Sequence, residues 1–231
     1  MSARDSHLRL ISVGIILILC SVSLLFVANM IMHMWFFKTS PEGERFPSLD
    51  FVFYLFSCCN LSSVFTALAM FCLSRGFRRV ENSLRICSVL TFVGFIGCLL
   101  IIINLTLFLV AIAVELAGNY RFITILGSAA YAVLLVQYTT LILGVVLVLI
   151  GLVGVLYSLW RLRRYYNEGV IEAGVFLAVV ATFEMFYSFC SLLISMSLLE
   201  CAIGVTMASI IYMIAWVLVL IGLRTKHVHQ R

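Results

Sequence analysis

Two prolines and ten acidic residues are all that this 231-residue chain contains, and only 11% of it is charged. Each shortage excludes something. Soluble domains carry about 25% charged and roughly 45–50% apolar residues. A water-soluble fold of this length has no interior large enough for 64% hydrophobic residues, so the surplus must face lipid. With so few prolines, long helices run without interruption. The apolar stretches are continuous and not alternating, which favours a helical bundle over a barrel. Aspartate occurs only as Asp5 and Asp50, near the expected surfaces, which excludes an intramembrane aspartyl protease. H-E-x-x-H, G-x-S-x-G and Walker-type loops are all missing. Histidines inside the apolar runs are too few for a His-paired haem site. The chain therefore reads as a non-enzyme, with no cofactor and no metal.

What is there is a series of lipid-crossing segments. A span needs roughly 20 apolar residues to cross about 30 Å of hydrocarbon. Six candidates fit: Leu10 to Phe37, Phe51 to Leu73, Ile86 to Val114, Phe122 to Trp160, Val170 to Leu198 and Ala202 to Leu223. The segment "FKTSPEGERFPSLD" holds both prolines and has real loop character. The N-terminal nine residues resemble the start of a signal peptide. The 28-residue run behind them is too long for one, since a cleaved signal holds about 7–15 apolar residues. An uncleaved first span is expected.

The fourth run covers 39 residues, roughly 58 Å of helix at 1.5 Å per residue. It is either one overlong helix or two spans. Lysine and arginine decide, because cytoplasmic loops are enriched in them. With six spans, one side holds twelve basic residues and the other three: Lys38, Arg45 and Arg121. Splitting the fourth run gives six against nine, and the bias disappears. The expectation is one integral membrane domain, 1–231, an all-α polytopic bundle of six spans. Both termini are then cytoplasmic, and the cell membrane is the expected site. The third and fourth runs overshoot on the outer side around "AVELAGNYRFITILGSAAY", through strong tilt or as an outward helical hairpin.

"WRLRRYYNEG" at 160–169 concentrates Arg161, Arg163 and Arg164 beside Trp160, Tyr165 and Tyr166. Arginines bind anionic headgroups and the aromatic rings suit the interface. Arg78 and Arg79 serve the same way at the second connection. A phosphate site would want a glycine-rich loop and nucleic-acid binding a basic domain outside the membrane. Neither is present, so the bilayer is the expected partner and nucleic acid is not. At an offset of 85, Arg78, Arg79, Asn82 and Ile86 meet Arg163, Arg164, Asn167 and Ile171. Spans two–three and four–five thus read as candidate duplicated hairpins. Separately, "FYLFSCCNLSS" in span two echoes "FYSFCSLLISM" in span five, as an inverted duplication would require.

Glu184 is the most informative residue. It lies 14 residues into span five, at roughly 21 Å along a crossing of about 30 Å. A carboxylate there is expensive and should face protein or water. Helical spacing places Glu184, Tyr187, Ser188, Ser191 and Ser195 on one face, and no lysine or arginine lies within any of the six spans. Glu184 is read either as a proton- or cation-handling group or as a hydrogen-bonding partner for a neighbouring helix. Asn29 and His33, Asn60, Asn104 and Gln137 fall at comparable depth. They either line an outer-half polar cavity with Glu184 or form interhelical hydrogen bonds, worth about 0.6 kcal/mol each.

Small residues form stripes. Gln137, Thr140, Gly144, Gly151 and Ser158 share a face of span four; Thr91, Gly94, Gly97 and Cys98 of span three; Gly204, Ala208 and Ala215 of span six. Such stripes let helix backbones approach in lipid and mark the bundle interior. The eight cysteines lack C-x-x-C spacing and read as small hydrophobes.

The passage "GLVGVLYSLWRLRRYYNEGVIEAGVFL" resembles a pattern in archaeal multi-pass membrane proteins of unknown function. There a glycine-spaced span ends in an arginine- or tyrosine-bearing turn and re-enters through a small-residue helix. The resemblance covers about 30 residues and implies a six-helix-type integral membrane protein; no functional residue is carried over from it. Two functional classes follow from the residues. One is transport or permeation around Glu184. The other is a structural or assembly subunit with a homo-oligomeric or membrane-protein partner.

The charge count generates a topology test. With a tag after Arg231 and another in the turn at 199–201, an impermeant reagent applied to intact cells should reach the turn and not the tail. A labelled tail, or both tags in one compartment, would reject the six-span arrangement.

Overall fold

The computed structural model describes residues 3–39, 49–80, 84–116, 130–166, 168–195 and 198–225. They form six helices: α1 (Ala3–Thr39), α2 (Leu49–Val80), α3 (Arg85–Leu116), α4 (Ala130–Leu162), α5 (Glu168–Ser195) and α6 (Leu198–Thr225). A single 3-10 turn, Arg163–Tyr165, joins α4 to α5. No strand occurs among the described residues. All six helices are long and apolar enough to cross a membrane. Helix is what hydrocarbon demands, since only it satisfies every backbone N–H and C=O within one segment. Pro41 and Pro47 both lie outside the described residues, so the helices meet no breaker.

From Ala130 the fourth run is one continuous 33-residue helix. Its residues 122–129, and the outward hairpin expected around 117–129, lie outside the described residues, as does the loop at 40–48. α2 continues seven residues beyond Leu73, to Val80. Gly76 does not stop it. A Cβ on Gly76 would stand 2.7 Å from Ile11 Cγ1, so the glycine serves a close approach to α1.

The helices pack as an open row in the order α4, α3, α2, α1, α6, α5. The broadest contacts join α3 to α4, α5 to α6 and α1 to α2; α2 meets α3, and α1 meets α6 less extensively. The two ends of the row, α4 and α5, barely touch although only a short turn separates them. The two turns that echo each other at an offset of 85 therefore sit in differently packed hairpins, with α2 and α3 closely joined. Asn82 and Asn167 of that echo lie outside the described residues.

The seams are built from small residues. On α3 and α4, a Cβ at Gly94 would stand 2.7 Å from the Gly151 Cα, and one at Gly97 would stand 2.6 Å from the Gly144 carbonyl oxygen. No larger residue fits, so the backbones themselves are in contact, as close helix packing in lipid requires. On α5 and α6, a Cβ at Gly174 would stand 2.8 Å from the Ala215 carbonyl oxygen and one at Gly222 would stand 2.6 Å from Ile171 Cγ1. Hydroxyl pairs add direction. Ser21 and Ser62 each donate to the other's carbonyl oxygen at 3.0 Å across α1 and α2, with Thr66 2.7 Å from Ser21 Oγ. Ser74 and Ser88 do the same at 2.9 Å across α2 and α3. Thr182 and Tyr212 share a 2.5 Å bond across α5 and α6.

The core has a polarity of depth. Ile11, Ile15, Leu73, Phe77, Leu84, Leu159, Leu162, Ile171, Trp216 and Val219 are fully buried. All lie toward the helix ends that carry Arg9, Arg75, Arg85, Arg161 and Arg224. Among the described residues, the largest fully buried side chains gather at this arginine end.

The glycine seam can be tested directly. Gly151→Leu should cost roughly 1–3 kcal/mol of unfolding free energy in detergent, the usual penalty of overpacking. Gly169→Ala, where a Cβ meets nothing within 4 Å, should stay within about 0.5 kcal/mol. Equal effects would show that the α3–α4 contact does not hold the bundle.

Candidate functional site

The far end holds the polar residues singled out from sequence, and the structure distributes them among several helices. On α1, Asn29 donates to its own helix, at the Leu25 carbonyl oxygen 3.0 Å away. His33 follows on the same helix, with its side chain outside the described ones. Asn60 on α2 donates to Thr106 Oγ1 on α3 at 2.9 Å. Asn104 on α3 donates to Thr140 Oγ1 on α4. The Thr140 hydroxyl in turn donates to the Val136 and Gln137 carbonyl oxygens, at 2.8 and 3.0 Å. Asn104 is thus joined to α4 through Thr140, at the opposite end of the row from Glu184, and Thr140 meets Gln137 only at its backbone.

Glu184 sits on α5, the other edge. Helical spacing groups it with Tyr187 and Ser188, but the boundary between inside and outside passes between those two. Ser188 is 3% exposed; it faces Gly204 of α6 and donates to the Glu184 carbonyl oxygen at 2.8 Å. Tyr187 is 70% exposed. The side chains of Ser191 and Ser195 lie outside the described ones. Glu184 itself is half-buried. A Cβ on Gly204 would collide with Ser188 Oγ but would stand 3.7 Å from Glu184 Oε1, an ordinary contact distance, so the glycine makes room for Ser188 and Glu184 lies beside it. Among the described residues, no cation or hydrogen-bond donor meets its carboxylate. A shallow groove of about 600 Å³ opens beside it, lined by Val180, Phe183, Phe186 and Tyr187, all from α5.

At the arginine end, Arg78 and Arg79 in the last turn of α2 are exposed, as is Arg164. Arg161 donates to the Tyr157 hydroxyl at 3.2 and 3.1 Å. Arg163 lies 3.6 Å over the Trp160 ring and pairs with Glu172 at 2.8 Å. Arg163 is therefore tied to its own chain across the α4–α5 turn as well as placed at the surface. Sequence reasoning missed Glu172; its signal was an acidic residue one turn into the helix that follows three arginines.

Sequence reasoning also missed the serine pairs, since serine within an apolar run looks alike whether it bonds its own helix or a neighbour. Of the cysteines, Cys87 and Cys98 are buried while Cys20 is exposed. Among the described residues, no three His, Cys, Asp or Glu side chains gather as metal ligands would. Comparison of the chain with protein families, with curated proteins and with solved structures gives no match.

The pairing of Asn104 and the burial of Ser188 predict a dry far end. With the native cysteines replaced by alanine, single cysteines at 104 and 188 should resist a water-soluble thiol reagent in lipid vesicles and react after denaturation. Rapid labelling of both in the folded protein would establish an aqueous path between the helices.

Proposed function

We propose that this multi-pass membrane protein is a non-catalytic assembly subunit, which uses the open edge of its helix row to bind another membrane-embedded chain. The carrying observation is that edge. α5 lacks a neighbour on the side where α4 has withdrawn, and its uncovered face holds both exposed aromatic rings and a carboxylate. A plain lipid-facing surface needs only apolar side chains, and a carboxylate on it is costly. A partner helix that covers it removes the cost. Both termini lie in the cytoplasm in this reading. The exposed Arg78, Arg79 and Arg164 rest against anionic headgroups of the bilayer, which also covers the remaining faces.

Permeation around Glu184 is the second reading, and an intramembrane carboxylate with no cation beside it among the described residues favours it. Two features weigh toward assembly. Asn60 and Asn104 are engaged by hydroxyls of adjacent helices, and the groove at Glu184 is lined by α5 alone.

The readings separate experimentally. Extracted from the membrane in native lipid particles, the protein should run above the mass of one chain and its lipid belt. The double variant Phe183→Ala/Phe186→Ala should fall to the single-chain mass with its melting temperature shifted by only a few degrees. A wild-type protein already at single-chain mass would reject assembly. Loss of ion or solute flux in Glu184→Gln, at unchanged particle mass, would favour permeation.

A further inference from the structure

We propose that the α2–α3 connection holds a discrete lipid site, which takes a phospholipid whose headgroup carries more than one phosphate. The inference is independent of the assembly reading and uses different helices from Glu184.

Charge singles out this connection. From Ser74 to Ile86 the chain carries four arginines, Arg75, Arg78, Arg79 and Arg85, against one carboxylate, Glu81. Glu81 lies outside the described residues and offsets one of the four at most. Among the described residues, no carboxylate meets any of these arginines. The other arginine turn is closer to balance. From Trp160 to Glu172 three arginines stand against Glu168 and Glu172, and Arg163 is paired with Glu172 at 2.8 Å. A guanidinium fork matches a phosphate edge to edge. Four exposed forks exceed what a single phosphate occupies, and a headgroup with several phosphates uses them.

Geometry gathers the four. Ser74 and Ser88 exchange hydrogen bonds at 2.9 Å across α2 and α3. That clamp sets Arg75, the residue after Ser74, and Arg85, three residues before Ser88, at the same end of one seam. Helical spacing puts Phe71, Arg75, Arg78 and Arg79 on one side of α2, and Arg85 and Phe92, two turns apart, on one side of α3. Ring contacts join the two sides: Phe71 lies 5.6 Å from Phe95, and Phe95 lies 5.6 Å from Phe92. The Arg75 guanidinium rests 4.5 Å over the Phe71 ring, a stacking that leaves its N–H edge free for phosphate.

Next to the arginines the same faces are apolar. Leu68 on α2 and Val89, Phe92 and Ile96 on α3 are all exposed, so acyl chains lie along them while the headgroup sits among the forks. Forks at one end and hydrocarbon alongside select a lipid over a soluble polyphosphate.

The test titrates the full-length protein in detergent with phosphatidylinositol bisphosphate or with phosphatidylserine, and counts retained lipid by native mass spectrometry. The bisphosphate lipid should be retained at roughly tenfold lower concentration than the serine lipid. Arg78→Gln/Arg79→Gln and Arg75→Gln/Arg85→Gln should each erase most of that preference. Arg9→Gln/Arg224→Gln, which removes the same charge at exposed positions of the same end, should keep it. No preference in the wild-type protein would overturn the proposal. An equal loss in all three variants would do so too, since the arginines would then act only through net charge. Soluble inositol trisphosphate, which has no acyl chains to bury, should bind at least about tenfold more weakly than the bisphosphate lipid. Equal binding would make a free phosphate compound the ligand and reject the lipid.

Discussion

Lipid gives two apolar helices no reason to prefer each other over their surroundings, so association in a bilayer falls to close packing and directed bonds. Everything else in this bundle depends on how near the backbones come. Where Gly94 meets Gly151 and Gly97 meets Gly144, two helices touch through their main chains. That proximity brings many weak dispersion contacts within range, each tiny and together large. It also sets the distance at which short hydroxyl side chains reach across. Ser74 and Ser88 exchange bonds with each other's carbonyl oxygens, which longer-range packing would not permit.

Because the seams consist of small residues, their position decides where the molecule is rigid. Gly14, Gly76, Gly154, Gly174 and Gly222 all serve the half that carries the arginines. The fully buried large side chains lie there too. At that end Arg163 joins α4 to α5 through Glu172. A salt bridge with partners this exposed contributes little by itself. Its effect is to fix the turn. Past the turn α4 follows α3, α5 follows α6, and the row is left open. The polar residues at depth fall in the other half, where Asn60 and Asn104 each bond a neighbouring helix.

The fold class was legible because hydrocarbon allows so few backbone solutions. Span count followed from length and charge bias, and the stripes in α3 and α4 were readable because glycine at helical spacing in lipid has few other uses. The order of the row was not readable, since nothing local to α1 records that α6 is its neighbour. The serine pairs were hidden for a related reason. Ser57 and Ser63 bond their own helix at Phe53 and Cys59, while Ser62 between them bonds α1; the sequence is alike and the neighbour decides. Around Glu184, spacing grouped Tyr187 with Ser188 on one face of the helix. Only the line of contact with α6 shows that one points in and the other out.

Glu184 differs from the other polar residues at its depth in kind and not merely in charge. Asn60 and Asn104 donate to hydroxyls within the chain, although the Asn60 Oδ1 is buried without a partner among the described residues. Glu184 lies beside Gly204 and exposed aromatic rings of α5, with no donor among the described residues. Insertion scales place a charged side chain at the middle of a helix roughly 2.5–3.5 kcal/mol uphill, and the cost is smaller nearer the interface. That is small enough for the bundle to insert and hold with the carboxylate unmatched. It is also large enough that a partner supplying the missing charge would gain selectivity over every apolar helix in the same membrane. An edge that was wholly apolar would bind such helices with little discrimination. An unmatched carboxylate on the open edge lowers the stability of the chain alone.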